Sequence, residues 1–219
     1  YQLLIAVNFI LFPMLAQAVR DGDRAAIARY VKTGVRIALV VAGAMVSVVA
    51  GLSRPLLKLV FGEQAAELGG RSLELLAIGF GVFAIFGVLT TVLNSLKREL
   101  ASTLVTGLAV LAVGILCFAR VRGTAFGEEL LFRTASATSV GLAIPAVGAG
   151  ILVYRAAGAV VALKSAVRVP LVVAVTVIVG RLLPEPGLLA TVGSSALLGG
   201  PYLVLLVVTR ELDRDDWRL

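Results

Sequence analysis

The sequence has no histidine and one cysteine, and only 15% of its 219 residues are charged. Histidine is the side chain that most often transfers protons near neutral pH and the commonest metal ligand, so histidine-based catalysis is excluded. Cys117 alone cannot form an intrachain disulfide, a thiolate metal cage or a CxxC pair. It lies in an apolar run, where cysteine is typical of a small buried hydrophobic residue.

Apolar residues make up most of the chain. Hydrophobic residues account for 59% of it, and the 23 glycines raise the apolar share to about 70%. The mean hydropathy is +1.02. Soluble domains are about 45 to 50% apolar and about 25% charged. The composition therefore indicates an integral membrane protein.

The net charge of +7 comes from 20 basic and 13 acidic residues. In a soluble domain such an excess would favour nucleic-acid binding. Here the basic residues lie between apolar runs and no basic run has interleaved aromatic residues, so we expect no nucleic-acid partner. The start of the chain lacks the basic region and small-residue cleavage site of a signal peptide, and we expect an internal piece of a longer protein.

Charged linkers divide the chain into apolar runs of about the 20 residues that a membrane-spanning helix needs. The pattern predicts an all-α bundle of about seven membrane-spanning helices. The predicted spans are 1–19, 35–53, 73–96, 100–119, 134–154, 169–184 and 188–209. Residues 25–35 have helical spacing and are predicted to begin the second helix, and the three residues at 97–99 predict an antiparallel hairpin.

Basic residues are distributed unequally between alternate linkers. One set of linkers, which includes 20–34 and the C-terminal tail, contains 13 Lys and Arg, and the other contains 7. The positive-inside rule places the first set in the cytoplasm. The sequence thus predicts a multi-pass protein of the bacterial cytoplasmic membrane with a cytoplasmic C-terminus. Residues 28–34 and 53–62 are partly apolar and are predicted to lie in the membrane interface as amphipathic helix ends.

The acidic residues do not form a catalytic pattern. Asp213, Asp215 and Asp216 alternate with arginines in a polar tail, which is typical of a solvated surface. Glu128 and Glu129 are adjacent, so on a helix they diverge by about 100° and cannot converge on one metal. We therefore expect no enzyme, no metal site and no cofactor.

Polar residues within the predicted spans are the main candidates for function, because an amide facing lipid loses its hydrogen bonds to water. They are Gln2, Asn8, Gln17, Glu74 and Asn94. The first span also contains a proline, which frees a backbone carbonyl one turn earlier, so we expect this span to bend and line a cavity. Hydrogen bonding between helices, without transport, explains the amides as well. For Glu74 a position at the level of the lipid headgroups is favoured.

Four segments resemble the polysaccharide flippase branch of the multidrug, oligosaccharidyl-lipid and polysaccharide exporter superfamily, which includes O-antigen and lipid II flippases. They are FPMLAQAVRDGDRAAIARYVKTGVRIAL, RPLLKLVFGEQAAE, LNSLKRELASTLVTG and PYLVLLVVTRELDRDDWRL. The resemblance implies that residues 1–165 form part of a second transporter lobe and that residues 166–219 add two C-terminal spans. The N-terminal lobe of the same protein is then missing from this chain.

The resemblance also implies a function. Two lobes would rock about a central cavity and carry a lipid-linked oligosaccharide or polysaccharide precursor across the membrane. Its partners would be the lipid bilayer, the lipid-linked sugar and the missing lobe. Gln2, Asn8 and Asn94 are then candidates for cavity-lining residues, and Arg54 and Lys58 for outer basic residues near headgroups. A multidrug or cation antiporter of the same superfamily and a non-transporting structural subunit are the alternatives.

Overall fold

The computed structural model describes residues 2–182 together with Gly200 and Tyr202, and the side chains of this range except those of residues 2–7 and 163. Helices make up 89% of the structure, and no strand occurs in the described range. Seven helices are described there. They are α1 (Gln2–Arg20), α2 (Arg24–Gly51), α3 (Ser53–Phe61), α4 (Glu63–Ser95), α5 (Glu99–Val121), α6 (Glu128–Ala157) and α7 (Leu163–Leu182).

Five of the described helices are long and apolar enough to cross a membrane, namely α2, α4, α5, α6 and α7. The predicted all-helical class is confirmed for the described residues, which contain five candidate membrane spans. The first predicted span forms α1, which is not one of these five. The seventh predicted span lies outside the described residues apart from Gly200 and Tyr202, so the count of seven stays a prediction.

Short connections join the helices at the end of the bundle where α1 stops. Asp23 caps α2, accepting a hydrogen bond from the backbone N–H of Ala26 at 2.9 Å, and Gly22 before it has a positive φ of 70°. Three residues connect α4 to α5, and Lys97 among them also has a positive φ. The hydroxyl of Ser102 on α5 reaches the carbonyl of Thr90 on α4 at 3.5 Å, so α5 returns antiparallel to α4, as predicted.

Helix α4 is the centre of the described bundle and packs against α1, α2, α3, α5 and α6. Small residues allow the closest approaches, as expected between helices in lipid. A Cβ atom on Gly79 would lie 2.9 Å from the Cα of Ser139 on α6. The hydroxyl of Ser139 donates to the carbonyl of Leu75 at 2.8 Å. The α4–α6 interface thus combines a glycine contact with a hydrogen bond.

A stripe of small residues on α2 holds α7. Gly43, Ser47 and Gly51 follow one another at four-residue intervals and are buried. A Cβ on Gly180 of α7 would lie 2.9 Å from the Cα and carbonyl oxygen of Gly51. Nearby, the hydroxyl of Tyr202 donates to the carbonyl of Val40 on α2 at 2.8 Å. The backbones of α2 and α7 therefore touch directly at one end.

Helix α5 lies at the outside of the bundle. Only 11% of the most apolar stretch of this helix is buried. Large apolar side chains at helical spacing are exposed along the helix. They are Leu100, Leu104, Leu108, Leu111, Ile115 and Phe118. A contiguous face of this kind is suited to contact with lipid chains.

Candidate functional site

The residues predicted from the sequence do not form one site. Asn94 is exposed near the C-terminal end of α4, whereas Arg54 and Lys58 lie on α3, which packs against the N-terminal part of α4. Asn8 lies within α1, and its Oδ1 atom is buried without a hydrogen-bond partner. Gln2 begins α1, but its side chain lies outside the described part of the structure.

A polar cleft of about 430 Å³ lies where α2 ends and α3 begins. We refer to it as the arginine cleft. Three arginines and one carboxylate line it, Arg54 on α3, Arg71 and Glu74 on α4 and Arg181 on α7. The remaining lining residues are small or apolar, namely Gly51, Leu52, Ser53, Pro55, Gly70 and Gly180.

The missing side chain of Gly70 positions Arg54. A Cβ at this position would lie 2.5 Å from the Cγ of Arg54 and 3.3 Å from its Nε. The aliphatic part of Arg54 therefore crosses α4 where α4 has no side chain. This contact fixes α3 against α4 and directs Arg54 over the cleft.

The charges of the cleft are partly compensated. Glu74 pairs with Arg181 across the space between α4 and α7, and only 17% of the Glu74 side chain is exposed. Arg71 lies 3.8 Å from Glu128 of α6, and both side chains are at least half exposed, so this pair contributes little. Arg54 forms no ion pair with any described residue. Three guanidinium groups and one carboxylate leave the cleft positively charged.

Lys58 was predicted to act with Arg54, but it does not line the cleft. It pairs with Glu63 at the start of α4. The two residues are four positions apart on α3, yet only Arg54 lies over Gly70. The cleft instead includes two arginines that the sequence did not single out, Arg71 and Arg181.

The depth of the cleft follows from the length of α4. From Glu74 to Ser95 the helix rises by about 32 Å at 1.5 Å per residue, and the hydrocarbon core of a bilayer is about 30 Å thick. If Ser95 lies at one boundary of the core, Glu74 lies at the other. The arginine cleft then lies at the level of the headgroups, the level predicted for Glu74.

An apolar groove of about 420 Å³ continues from the cleft towards the middle of the bundle. We refer to it as the α4–α7 groove. Both helices pack on α2, but in the described range they do not pack on each other. Glu74 and Arg181 line the groove as well as the cleft, so the two spaces meet at this ion pair. The other lining residues are apolar, among them Ile78, Val82, Ile85, Val173 and Ile178.

Part of the signal that identifies Arg71 and Arg181 was present in the sequence. Both lie at span ends that the alternation of linkers places on the same side of the membrane as Arg54. Grouping the basic residues of that side by span end places these three in one set with Arg120, Arg122 and Arg133, so the sequence alone does not separate the cleft from the other span ends. In residues 2–182, Gly200 and Tyr202, no group of three His, Cys, Asp or Glu residues is arranged to hold a metal.

Comparison with protein-family models and with curated proteins gave no match.

Proposed function

We propose that this chain is one lobe of a membrane transporter that flips a lipid-linked oligosaccharide or polysaccharide precursor by alternating access. The four resembling segments suggest this function, and the five membrane-length helices of the described residues are compatible with it. In such a transporter the substrate binds between two lobes, near the middle of the membrane. The chain would then need its partner lobe to transport.

The observation that carries the proposal is the unpaired amide of Asn8. Its Oδ1 is buried in an apolar helix and accepts no hydrogen bond from a described residue. A buried polar atom without a partner costs about 1 to 3 kcal/mol, so we expect a donor from beyond the described residues. A sugar hydroxyl, a cavity water or a group of the partner lobe each supplies a donor.

Glu74 weighs against the cation antiporter. An antiporter of this superfamily that couples transport to a cation would be expected to have a carboxylate in the middle of a span. Glu74 lies at the end of the apolar part of α4 and is already paired with Arg181. No other carboxylate lies inside the apolar part of a described helix.

The experiment compares Asn8→Leu with Gln17→Leu in the protein that contains both lobes. Gln17 lies on the same helix and is exposed, so the control removes an amide of similar size without removing the buried oxygen. Export of a fluorescent lipid-linked oligosaccharide into vesicles and the melting temperature are measured on the same preparation. We expect Asn8→Leu to reduce export strongly and Gln17→Leu to leave it unchanged.

Two outcomes would contradict the proposal for Asn8. One is normal export per folded molecule with a lowered melting temperature, because interhelical hydrogen bonds in membranes contribute about 0.6 kcal/mol on average and up to about 1.7. The other is transport of a cationic drug, but no oligosaccharide, by the unaltered protein.

A further inference from the structure

We propose that the arginine cleft and the α4–α7 groove together bind one anionic phospholipid. The headgroup phosphate would lie among Arg54, Arg71 and Arg181, and one acyl chain would lie in the groove. None of the residues that line the cleft or the groove lies on α1, the helix that contains Asn8. The inference therefore does not rest on the proposed function.

The cleft provides the charge that an anionic headgroup needs. Its lining contains three guanidinium groups against one carboxylate, and the carboxylate is already paired with Arg181. Arg54, without an ion pair among the described residues, and Arg71, whose pair with Glu128 is long and exposed, keep their donors available. Guanidinium groups bind phosphate oxygens through paired hydrogen bonds. A zwitterionic headgroup would bring an additional positive charge and would be disfavoured.

The groove has the length of one acyl chain. From Glu74 to Ile85, both lining residues, α4 rises by about 16 Å. One leaflet contributes about half of a 30 Å hydrocarbon core, or about 15 Å. A chain that enters below the Glu74–Arg181 pair therefore ends near the middle of the membrane. A long polyisoprenoid chain would extend well beyond the groove.

The boundary between the arginine cleft and the α4–α7 groove corresponds to the boundary between the headgroup and the acyl chains of a phospholipid. Glu74 and Arg181 line both spaces, so polar and apolar surfaces meet at this pair. With Ser95 at one boundary of the hydrocarbon core, the length of α4 places the pair at the other boundary, where the glycerol backbone of a phospholipid lies. Charge, length and depth thus agree on the same occupant.

The test measures lipid retention by native mass spectrometry of the chain extracted from membranes and exchanged into phosphatidylglycerol or phosphatidylcholine with identical acyl chains. We expect one phosphatidylglycerol to be retained in preference to phosphatidylcholine. The variant R54Q/R71Q should lose about thirtyfold in retention, because each basic residue near anionic lipid contributes a factor of about five. Arg181 is left unchanged so that its pair with Glu74 persists.

The matched control is R120Q/R122Q, which removes the same charge near the end of α5. Both residues are exposed and line a second basic pocket, which shares no lining residue with the cleft or with the apolar groove. If the phospholipid needs the cleft and the groove together, retention should stay at the level of the unaltered chain. A further variant, Ala174→Phe, adds a ring to an exposed residue that lines the groove and should also abolish retention. Ala119→Phe, exposed on α5, should have no such effect.

Three results would overturn the proposal. The first is equal retention of the two phospholipids by the unaltered chain. The second is equal loss in R54Q/R71Q and R120Q/R122Q, which would show general electrostatic attraction. The third is displacement of phosphatidylglycerol by an equimolar polyisoprenyl pyrophosphate, which would reassign the site to the transported lipid. None of these measurements uses transport, so the proposed function can fail while this site holds.

Discussion

Among the described helices, α2 and α4 hold α7 in different ways. Against α2, the glycines Gly51 and Gly180 bring the two backbones into direct contact. Against α4 there is an apolar groove, which meets the arginine cleft at the Glu74–Arg181 pair. Lipid chains are as apolar as leucine, so helices in membranes associate through close packing and polar contacts rather than through the hydrophobic effect. The first interface uses close packing and the second uses charge, which leaves room for another molecule only on the α4 side.

The largest expected effect comes from adding one methyl group to the close interface. Gly180→Ala places a Cβ 2.9 Å from backbone atoms of Gly51, which cannot rotate away. We expect a loss of about 1 to 3 kcal/mol, the usual cost of overpacking, measured as a lower melting temperature in detergent.

The control is Gly148→Ala on α6, where a Cβ has no neighbour within 4 Å. That change should be neutral or raise stability by about 0.5 to 1 kcal/mol, because alanine is the better helix former. If both variants melt at the same temperature, the direct backbone contact is not what holds α7.

A smaller change of opposite sign is expected at Ser47, between Gly43 and Gly51 on the same stripe. Its hydroxyl oxygen is buried without a hydrogen-bond partner. Ser47→Ala removes this unsatisfied group and should stabilise the chain by about 1 kcal/mol. A fall in melting temperature would show that the hydroxyl has a partner in the membrane, and would reduce the contrast between the two interfaces.

The smallest effect is expected on the groove side. Glu74→Gln removes the ion pair with Arg181, and Arg181 is more than half exposed, so we expect a change of no more than about 1 kcal/mol. Glu129→Gln, which removes an exposed pair within α6, is the control and should change the melting temperature less. A loss of several kcal/mol at Glu74 would mean that charge holds α7 as firmly as close packing does.

The sequence predicted the helices better than their ends. Apolar runs located the spans because hydrocarbon requires about 20 apolar residues in succession. They could not show that α4 begins at Glu63, ten residues before the predicted span, because a helix does not stop where the membrane does. Likewise, most of the partly apolar segment 53–62, predicted to lie in the interface, forms the separate helix α3, with only Gly62 between α3 and α4.

The candidate site was harder to predict. Arg54 was selected as an outer basic residue and does line the cleft, while Lys58, from the same linker, does not. The difference depends on the rotation of α3 about its axis, which the contact between Arg54 and Gly70 fixes. The groove between α4 and α7 likewise depends on how these two helices, which are distant in sequence, both pack against α2. Neither property is contained in the hydropathy of a single span.

The connection between α2 and α4 has a mechanical consequence. From Arg24 to Ser95 only Leu52 and Gly62 lie outside a helix. A single residue therefore connects α2 to α3, and a single residue connects α3 to α4. Gly62 has φ 89°, a conformation that residues other than glycine rarely adopt. The connection between α3 and α4 therefore favours glycine at this position. No flexible loop separates these three helices, so they cannot change their relative positions through a loop. We therefore expect a tilt of α2 to move α3 with it, which would change the distance between Arg54 on α3 and Arg181 on α7.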